Sequence, residues 1–344
     1  MFLVQKYRRP INFKMQKTIG VILLNLGGPE TLSDVKPFLY NLFSDRDIIK
    51  LGPALLQRPL AWLIARRRAP KSRAAYARIG GGSPLTRITG QQAQALQDIL
   101  APEGDFKVVT AMRYWRPRAD KALKDLTRQG VTDIIALPLY PHYSCATTGS
   151  SLTDLRATMA STGAVLPLHE IPSWQAHPAY IACLTERIQR GLEQFSGENV
   201  QIVYSAHSLP ASLIEQGDPY LTHLCETIKG IESQTGKTGL LCFQSRSGPV
   251  RWLSPSTPET IRKLAGSGCK NILMVPISFV SDHIEALYEI NLLYRQMASD
   301  LGIRLVASES LNSDPAFIKC LKDLVLQKTM EINSFQVPAQ HAAP

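Results

Sequence analysis

Apolar positions in this chain fall into short unbroken runs that end in turns, separated by longer stretches with helical spacing. Thr18 to Leu26 reads as a buried strand that turns at Gly27-Gly28-Pro29, and Val200 to Ala206 repeats the pattern before Ser208-Leu209-Pro210. Asp133 to Pro138 and Asn271 to Phe279 are two further runs. Each follows an amphipathic pattern that ends in glycine, Ala119 to Gly130 and Pro258 to Gly268. Another helix is read over Thr86 to Leu100. Strands of this kind alternating with helices define the α/β class with parallel sheets.

The pattern also repeats itself. Aligning Pro29 with Pro210 sets an offset of 181, and Asp133-Ile134-Ile135-Ala136-Leu137-Pro138 matches Asn271-Ile272-Leu273-Met274-Val275-Pro276 at an offset of 138. Two similar doubly wound, Rossmann-like halves are therefore expected, joined around 165–180. Residues 18–170 make the first and 171–330 the second, with a basic extension over 1–17 and a disordered tail over 331–344. The offsets differ by 43 residues, an insertion that belongs in the first half at 35–80. Within it Leu51, Leu55, Leu56, Leu60, Leu63 and Ile64 recur at helical spacing beside Trp62 and Arg66-Arg67-Arg68, while Pro53 and Pro59 interrupt any continuous helix. An apolar face with a cationic flank suits a membrane interface, and a core-packed helix fits the spacing equally well.

Charge sharpens this picture. The net charge of +10 is concentrated: from Ile48 to Gln97 there is no acid and there are nine Lys or Arg, and the first 17 residues add five more cations. The rest of the chain is slightly acidic. Such a surface attracts phosphate, carboxylate-bearing ligands or anionic lipid. The six cysteines include no CxxC pair, which excludes a zinc framework or disulfide scaffold and suits a reducing compartment. Residues 1–17 lack the apolar core of a secretory signal, and no run of 18 apolar residues could span a bilayer.

Candidate chemistry gathers at strand ends. His207 closes one apolar run, and Ser281-Asp282-His283-Ile284-Glu285 follows another, so His207 and Glu285 could share a cleft. An imidazole there can accept a proton or bind a divalent metal, and a carboxylate can be ligand or acid/base partner. If the following stretch is helical, Glu285 and Glu289 share a face. Gly80-Gly81-Gly82-Ser83-Pro84-Leu85 is neither a P-loop nor GxGxxG, and reads better as a turn than as a phosphate cradle.

Several segments, taken in order, resemble the ferrochelatases, which insert ferrous iron into a porphyrin. They are Leu24-Asn25-Leu26-Gly27-Gly28-Pro29-Glu30-Thr31, Arg78-Ile79-Gly80-Gly81-Gly82-Ser83-Pro84-Leu85, Met112-Arg113-Tyr114, Tyr140-Pro141-His142-Tyr143-Ser144-Cys145, Ser205-Ala206-His207-Ser208-Leu209-Pro210, Gln244-Ser245 with Gly248-Pro249 and Trp252, and Ser281-Asp282-His283-Ile284-Glu285. The resemblance runs from Ile19 to about Leu326. It implies two α/β domains around a porphyrin cleft, with the insertion as a hydrophobic lip. It implies His207 and Glu285 as the central pair for catalysis and metal, with Asp282, His283 and Glu289 behind them. Leu26, Arg68, Tyr76, Arg113, Tyr114, Ser245 and Trp252 are then the porphyrin-binding positions, Arg113 and the lip cations holding the propionates.

The resemblance further implies a lyase that forms nitrogen–metal bonds in the last step of haem synthesis, with protoporphyrin IX and Fe²⁺ as substrates. No permanently bound cofactor is expected. Relatives with a [2Fe–2S] cluster use a cysteine matching Cys145 and three in a C-terminal extension; here only Cys320 follows Cys269. Relatives that act on coproporphyrin tend to carry a tyrosine at Leu26, so protoporphyrin is favoured. Leu293 stands where some relatives continue the acidic track. The chain is expected to be cytoplasmic, a monomer in preference to a dimer, in peripheral contact with anionic membrane through the lip, and without a nucleic-acid partner. Two alternatives remain open at this point: a porphyrin or haem carrier without turnover, and a chelatase for another metal or tetrapyrrole, such as cobalt or coproporphyrin.

Overall fold

The structure is a computed structural model that describes residues 17–334 apart from Ser247 and Pro249. The first half runs β1 (Ile19–Asn25), α1 (Val35–Ser44), α2 (Gln57–Ala77), α3 (Leu85–Leu100), β2 (Phe106–Met112), α4 (Ala119–Arg128), β3 (Asp133–Pro138), α5 (Ser150–Thr162) and β4 (Leu168–Glu170). The second runs α6 (Pro178–Glu193), β5 (Gln201–His207), α7 (Ala211–Glu215), α8 (Tyr220–Thr235), β6 (Gly239–Gln244), α9 (Thr257–Gly266), β7 (Asn271–Pro276), α10 (Arg295–Asp300), β8 (Arg304–Ala307) and α11 (Pro315–Ser334). Two π-helical segments, Cys145–Gly149 and Glu285–Tyr294, follow β3 and β7.

Each half holds a four-stranded parallel sheet, ordered β2-β1-β3-β4 and β6-β5-β7-β8. Every residue of β3 and β7 is buried, as strands covered by helices on both faces must be. The order reverses between β1 and β3 and again between β5 and β7, and such switch points open crevices beyond the strand ends. Leu24 lies opposite Pro138 as Ser205 lies opposite Pro276, so Leu26 and His207 occupy equivalent ends of the two sheets. The same correspondence sets Thr147 against Glu285.

Helices α6 and α11 lie between the halves, where Tyr180, Ile188, Phe317 and Leu321 share one core with Leu137 of β3 and Leu273 of β7. Helix α11 packs on α3 as well as α6, so the end of the chain returns to the first half. The expected disordered tail over 331–344 needs correction at its start. Residues 331–334 form the last turn of α11, anchored by buried Ile332; the remainder, like the basic extension up to residue 16, lies outside the described residues.

The insertion is a helical hairpin of α1 and α2 between β1 and β2, where the second half has only α7 and α8. Helix α2 starts only at Gln57, so Pro53 does interrupt the apolar run, but from there the helix is continuous through Pro59 and Pro70. Pro59 sits in the first turn, where an N–H has no intrahelical partner, and Pro53 precedes the helix. Its packing face is the alanine row Ala61, Ala65 and Ala69, which lets α1 approach closely. The leucines stay outside: Leu55 is 91% and Leu63 55% exposed, with Leu56 and Trp62 also exposed, while Leu60 and Ile64 are half-buried. Lys36 and Arg66 lie over the Trp62 ring. Buried Gln57 ties the hairpin loop, donating to the carbonyls of Phe43 and Ile49 and accepting from Arg46 and the Leu51 N–H.

The glycine turn is a structural clasp. The Ser83 N–H donates to the Pro29 carbonyl at 2.6 Å, and a Cβ on Gly82 would lie 2.1 Å from the Glu30 carbonyl oxygen. No side chain fits there, and Pro29 already uses a donor that a phosphate would need.

Candidate active site

His207 is the last residue of β5, at the switch point of the second sheet. Its backbone N–H donates to Ser278 Oγ at 2.8 Å, and Tyr220 donates its hydroxyl to the His207 carbonyl at 3.0 Å, so the backbone is fixed on both sides. The ring lies edge-on to Phe279. Its Nδ1 and Glu285 Oε1 are 2.8 Å apart. An ionised carboxylate only accepts, so Nδ1 carries the hydrogen and Nε2 is left for substrate; among the described residues Nε2 has no partner. The His207 side chain is 34% exposed and that of Glu285 only 12%.

Burial opposes charge on both members of this pair, yet each wins it back from the other. Desolvation pulls the His207 imidazole down, but the charge and hydrogen bond of Glu285, with help from Glu289, hold it above its ordinary value. Desolvation raises Glu285, but His207, His283 and the amide of Gln244 hold it well below the usual carboxylate range. Gln244 donates to Glu285 Oε2 at 3.2 Å and accepts from Ser205 Oγ, which fixes the carboxylate plane. A proton acceptor raised toward neutral pH is what general-base work requires.

Glu289 follows on the same π-helical face. The winding, with hydrogen bonds reaching one residue further than in an α-helix, brings residues four apart nearer to eclipse. Burial and the charge of Glu285 push the Glu289 carboxyl up to about 7. Ser245 donates to it at 2.6 Å from a left-handed backbone at φ +63°, a costly conformation for serine that aims the hydroxyl at the helix. His283 donates Nδ1–H to the Ser281 carbonyl, and burial holds its imidazole below the ordinary value, so it stays neutral with its Nε2 lone pair buried and unpaired. Asp282 points away from this group. It pairs with Asn312 at 2.9 Å and borders a cavity of about 670 Å³ behind the π-helix.

The lip reaches over this centre. Buried Tyr76 lies near enough to Glu285 that, after desolvation, the carboxylate charge also raises its phenol. Arg78 stands over the Tyr288 ring of the π-helix, and Ile284 joins the lip's apolar cluster with Leu26. Arg68 lies over the Phe43 ring, and burial lowers its guanidinium. Trp252 bridges to Pro210, just past His207, and its indole N–H points to the Gly248 carbonyl.

Arg113 and Tyr114, just past the end of β2, form a network of their own. Arg113 donates to Asp45 at 2.7 Å, to Ser150 at 2.7 Å and to Asp154 at 3.3 Å, and Tyr114, 1% exposed, donates to Asp45 at 2.6 Å. The guanidinium thus meets two carboxylates, and the cluster ties the end of β2 to Asp45, just after α1, and to α5. The sequence reading missed Gln244, Tyr220, Asp45 and Tyr288 as members of these networks. Gln244 had a signal, since it lies in the quoted Gln244-Ser245 segment and closes an apolar run as His207 closes another.

A family model for Ferrochelatase matches residues 18–329. The chain belongs to the ferrochelatase family. The ferrochelatase of Desulfotalea psychrophila is 60% identical over 311 residues, covering 90% of this chain and 97% of that one. That of Geotalea uraniireducens is 51% identical over 314 residues, covering 90% and 98%. Among solved structures, SirB from Bacillus subtilis with Fe³⁺ superposes at a TM-score of 0.55 with 10% identity, over 92% of this chain and 98% of SirB, a likeness of fold alone. As a ferrochelatase the chain is an enzyme, a metal chelatase of the lyase class that inserts iron. The carrier alternative is thereby set aside.

Proposed function

We propose that this ferrochelatase inserts ferrous iron into protoporphyrin IX at the His207–Glu285 pair, with the lip and Leu26 forming the opposite wall of the cleft. The observation that carries the reading is the 2.8 Å contact between these two residues at the switch point of the second sheet. Insertion exchanges one Fe²⁺ for two pyrrole protons. His207 Nε2 takes a proton from the ring, and the resulting imidazolium is stabilised by Glu285 through Nδ1–H. Glu289, whose carboxyl is pushed up to about 7, takes the second proton next along the π-helical segment. The same Nε2 can meet the incoming iron before it takes a proton, so base and ligand are successive uses of one atom. Leu26 leaves an apolar strand end, which favours protoporphyrin over a more carboxylated ring.

Cys145 and Cys320 are poor cluster ligands. Burial and Asp218 push the Cys145 thiol up to about 11, and Cys320 is buried beside His177 and Cys183. No [2Fe–2S] cluster is proposed. Among the described residues no helix is long and apolar enough to cross a membrane. The exposed Leu55, Leu56, Trp62 and Leu63, flanked by Arg58, Arg66 and Arg67, instead support peripheral contact with anionic lipid.

The test is anaerobic turnover of Fe²⁺ and protoporphyrin IX, followed by loss of porphyrin fluorescence, beside His207→Ala. The variant should lose at least ~10²-fold in rate while porphyrin affinity stays within several-fold. Stoichiometric quenching without turnover, equal in both proteins, would overturn the proposal.

A further inference from the structure

The loop that presents His283 and Glu285 is held from the other half of the molecule by one buried amide. Gln92 belongs to α3, is fully buried, and lies far from the cleft in sequence. Its Nε2 donates to Ser281 Oγ at 3.0 Å and to the Asn312 carbonyl at 2.7 Å. The Asn312 carbonyl can only accept, so the amide orientation is dictated: turned over, oxygen would face oxygen. In this orientation Gln92 Oε1 is buried without a partner, so the side chain serves the two acceptors and leaves its own acceptor unsatisfied.

Both acceptors control the loop. Asn312, in a left-handed conformation at φ +47°, donates its N–H to the Val280 carbonyl at 2.8 Å and pairs through its side chain with the Asp282 N–H and carboxylate. Ser281 in turn accepts the His283 Nδ1–H on its carbonyl. Gln92 therefore pins both strands of a small clasp, 280–283 against 312, immediately before the π-helix that carries Glu285. Other polar contacts between the halves, such as Ser144 to Asp218 and His142 to Thr227, land on α8 or its entry and not on this loop.

We infer that Gln92 is a positioning residue for metal insertion, acting through Ser281 and Asn312 to hold the His283–Glu285 loop against His207. This rests on the proposed role of the His207–Glu285 pair. Gln92 touches no substrate, so its loss should slow chemistry more than it weakens binding. A small displacement of reacting groups is enough for a large rate loss.

The experiment compares Gln92→Met, Ser281→Ala and the double variant of the full chain. Readouts are anaerobic Fe²⁺ insertion, porphyrin affinity by fluorescence, melting temperature, and the pH profile of kcat/KM. We expect Gln92→Met to lower kcat at least tenfold with porphyrin affinity within twofold, and to move the acid limb of the profile, because the limb reports the His207–Glu285 contact. The double variant should be no slower than the worse single variant. An unchanged kcat, a loss matched by the loss of folded protein with an unmoved profile, or additive losses would each overturn the inference. Should Gln92→Met fail to fold, Ser281→Ala alone carries the test, and wild-type kcat/KM would overturn it. Absence of turnover in the wild-type chain would instead sink the underlying reading.

Discussion

Replacing Glu289 by glutamine tests the electrostatics of the π-helix with both members of the central pair left in place. In the folded protein, burial and Glu285 push the Glu289 carboxyl from an ordinary 4.5 to about 7. Between those values the folded state holds a proton that the unfolded chain has released. Stability then falls as pH rises, the loss beginning near 4.5 and complete above about 7. Over about 2.5 pH units, at ~1.36 kcal/mol per unit, the cost approaches about 3 kcal/mol. The carboxyl is only partly shielded from water, which reduces this to about 2 kcal/mol. With an unfolding entropy of roughly 2.1 cal/mol/K per residue, that corresponds to about 3 °C in a chain of this size. Glutamine keeps an acceptor for Ser245 and cannot ionise. Melting temperatures of Glu289→Gln and wild type should therefore coincide near pH 4.5 and diverge to about 3 °C in favour of the variant at pH 8. Differential scanning fluorimetry across this range measures both. An offset independent of pH, or a more stable wild type at pH 8, would refute the reasoning.

Glu285→Gln removes the charge that overcomes burial at His207, so the base is freed at lower pH; the acid limb of kcat/KM should move down, and an unmoved limb would show that Glu285 does not set it. Leu55→Gln with Leu63→Gln should weaken sedimentation with anionic vesicles while insertion in solution stays within twofold; unchanged partitioning would remove the membrane contact. Gln57→Leu leaves two carbonyls, the Leu51 N–H and Arg46 without their partner, a loss of about 3 kcal/mol. It should lower the melting temperature and speed proteolytic cleavage within 45–56, and resistance equal to wild type would count against the tie.

The parallel sheets were legible because their strands are covered on both faces and so read as plain apolar runs: Asp133–Pro138 and Asn271–Pro276 need no tertiary information. The lip was only half legible. Its leucines dominate the pattern, yet the packing row is alanine, whose small size matters only when a second helix is present to approach it. Pro59 looked like a breaker because its place in the first turn depends on where the helix starts. Arg113 beside aromatic residues suggests a ligand cation; its partner Asp45 lies 68 residues away, and no local spacing announces that pairing. Gln92 and Asn312 were invisible for the same reason, since buried amides carry no periodicity. His207, Glu285 and Glu289 could be picked out because strand ends and helical spacing are local signals.

The equivalence of Leu26 and His207 has a stereochemical consequence. A cleft between two identical halves would present the same wall to each side of a flat guest, which could then enter either way up. Here one wall offers a hydrocarbon at the strand end and the other an imidazole braced by a carboxylate. Protoporphyrin IX is itself planar but carries its substituents in an unsymmetrical order, so its two faces are mirror-related and distinguishable only in chiral surroundings. Divergence of the two strand ends supplies those surroundings: with the roles proposed for His207 and Leu26, one face of an achiral substrate meets the base and the other meets apolar support.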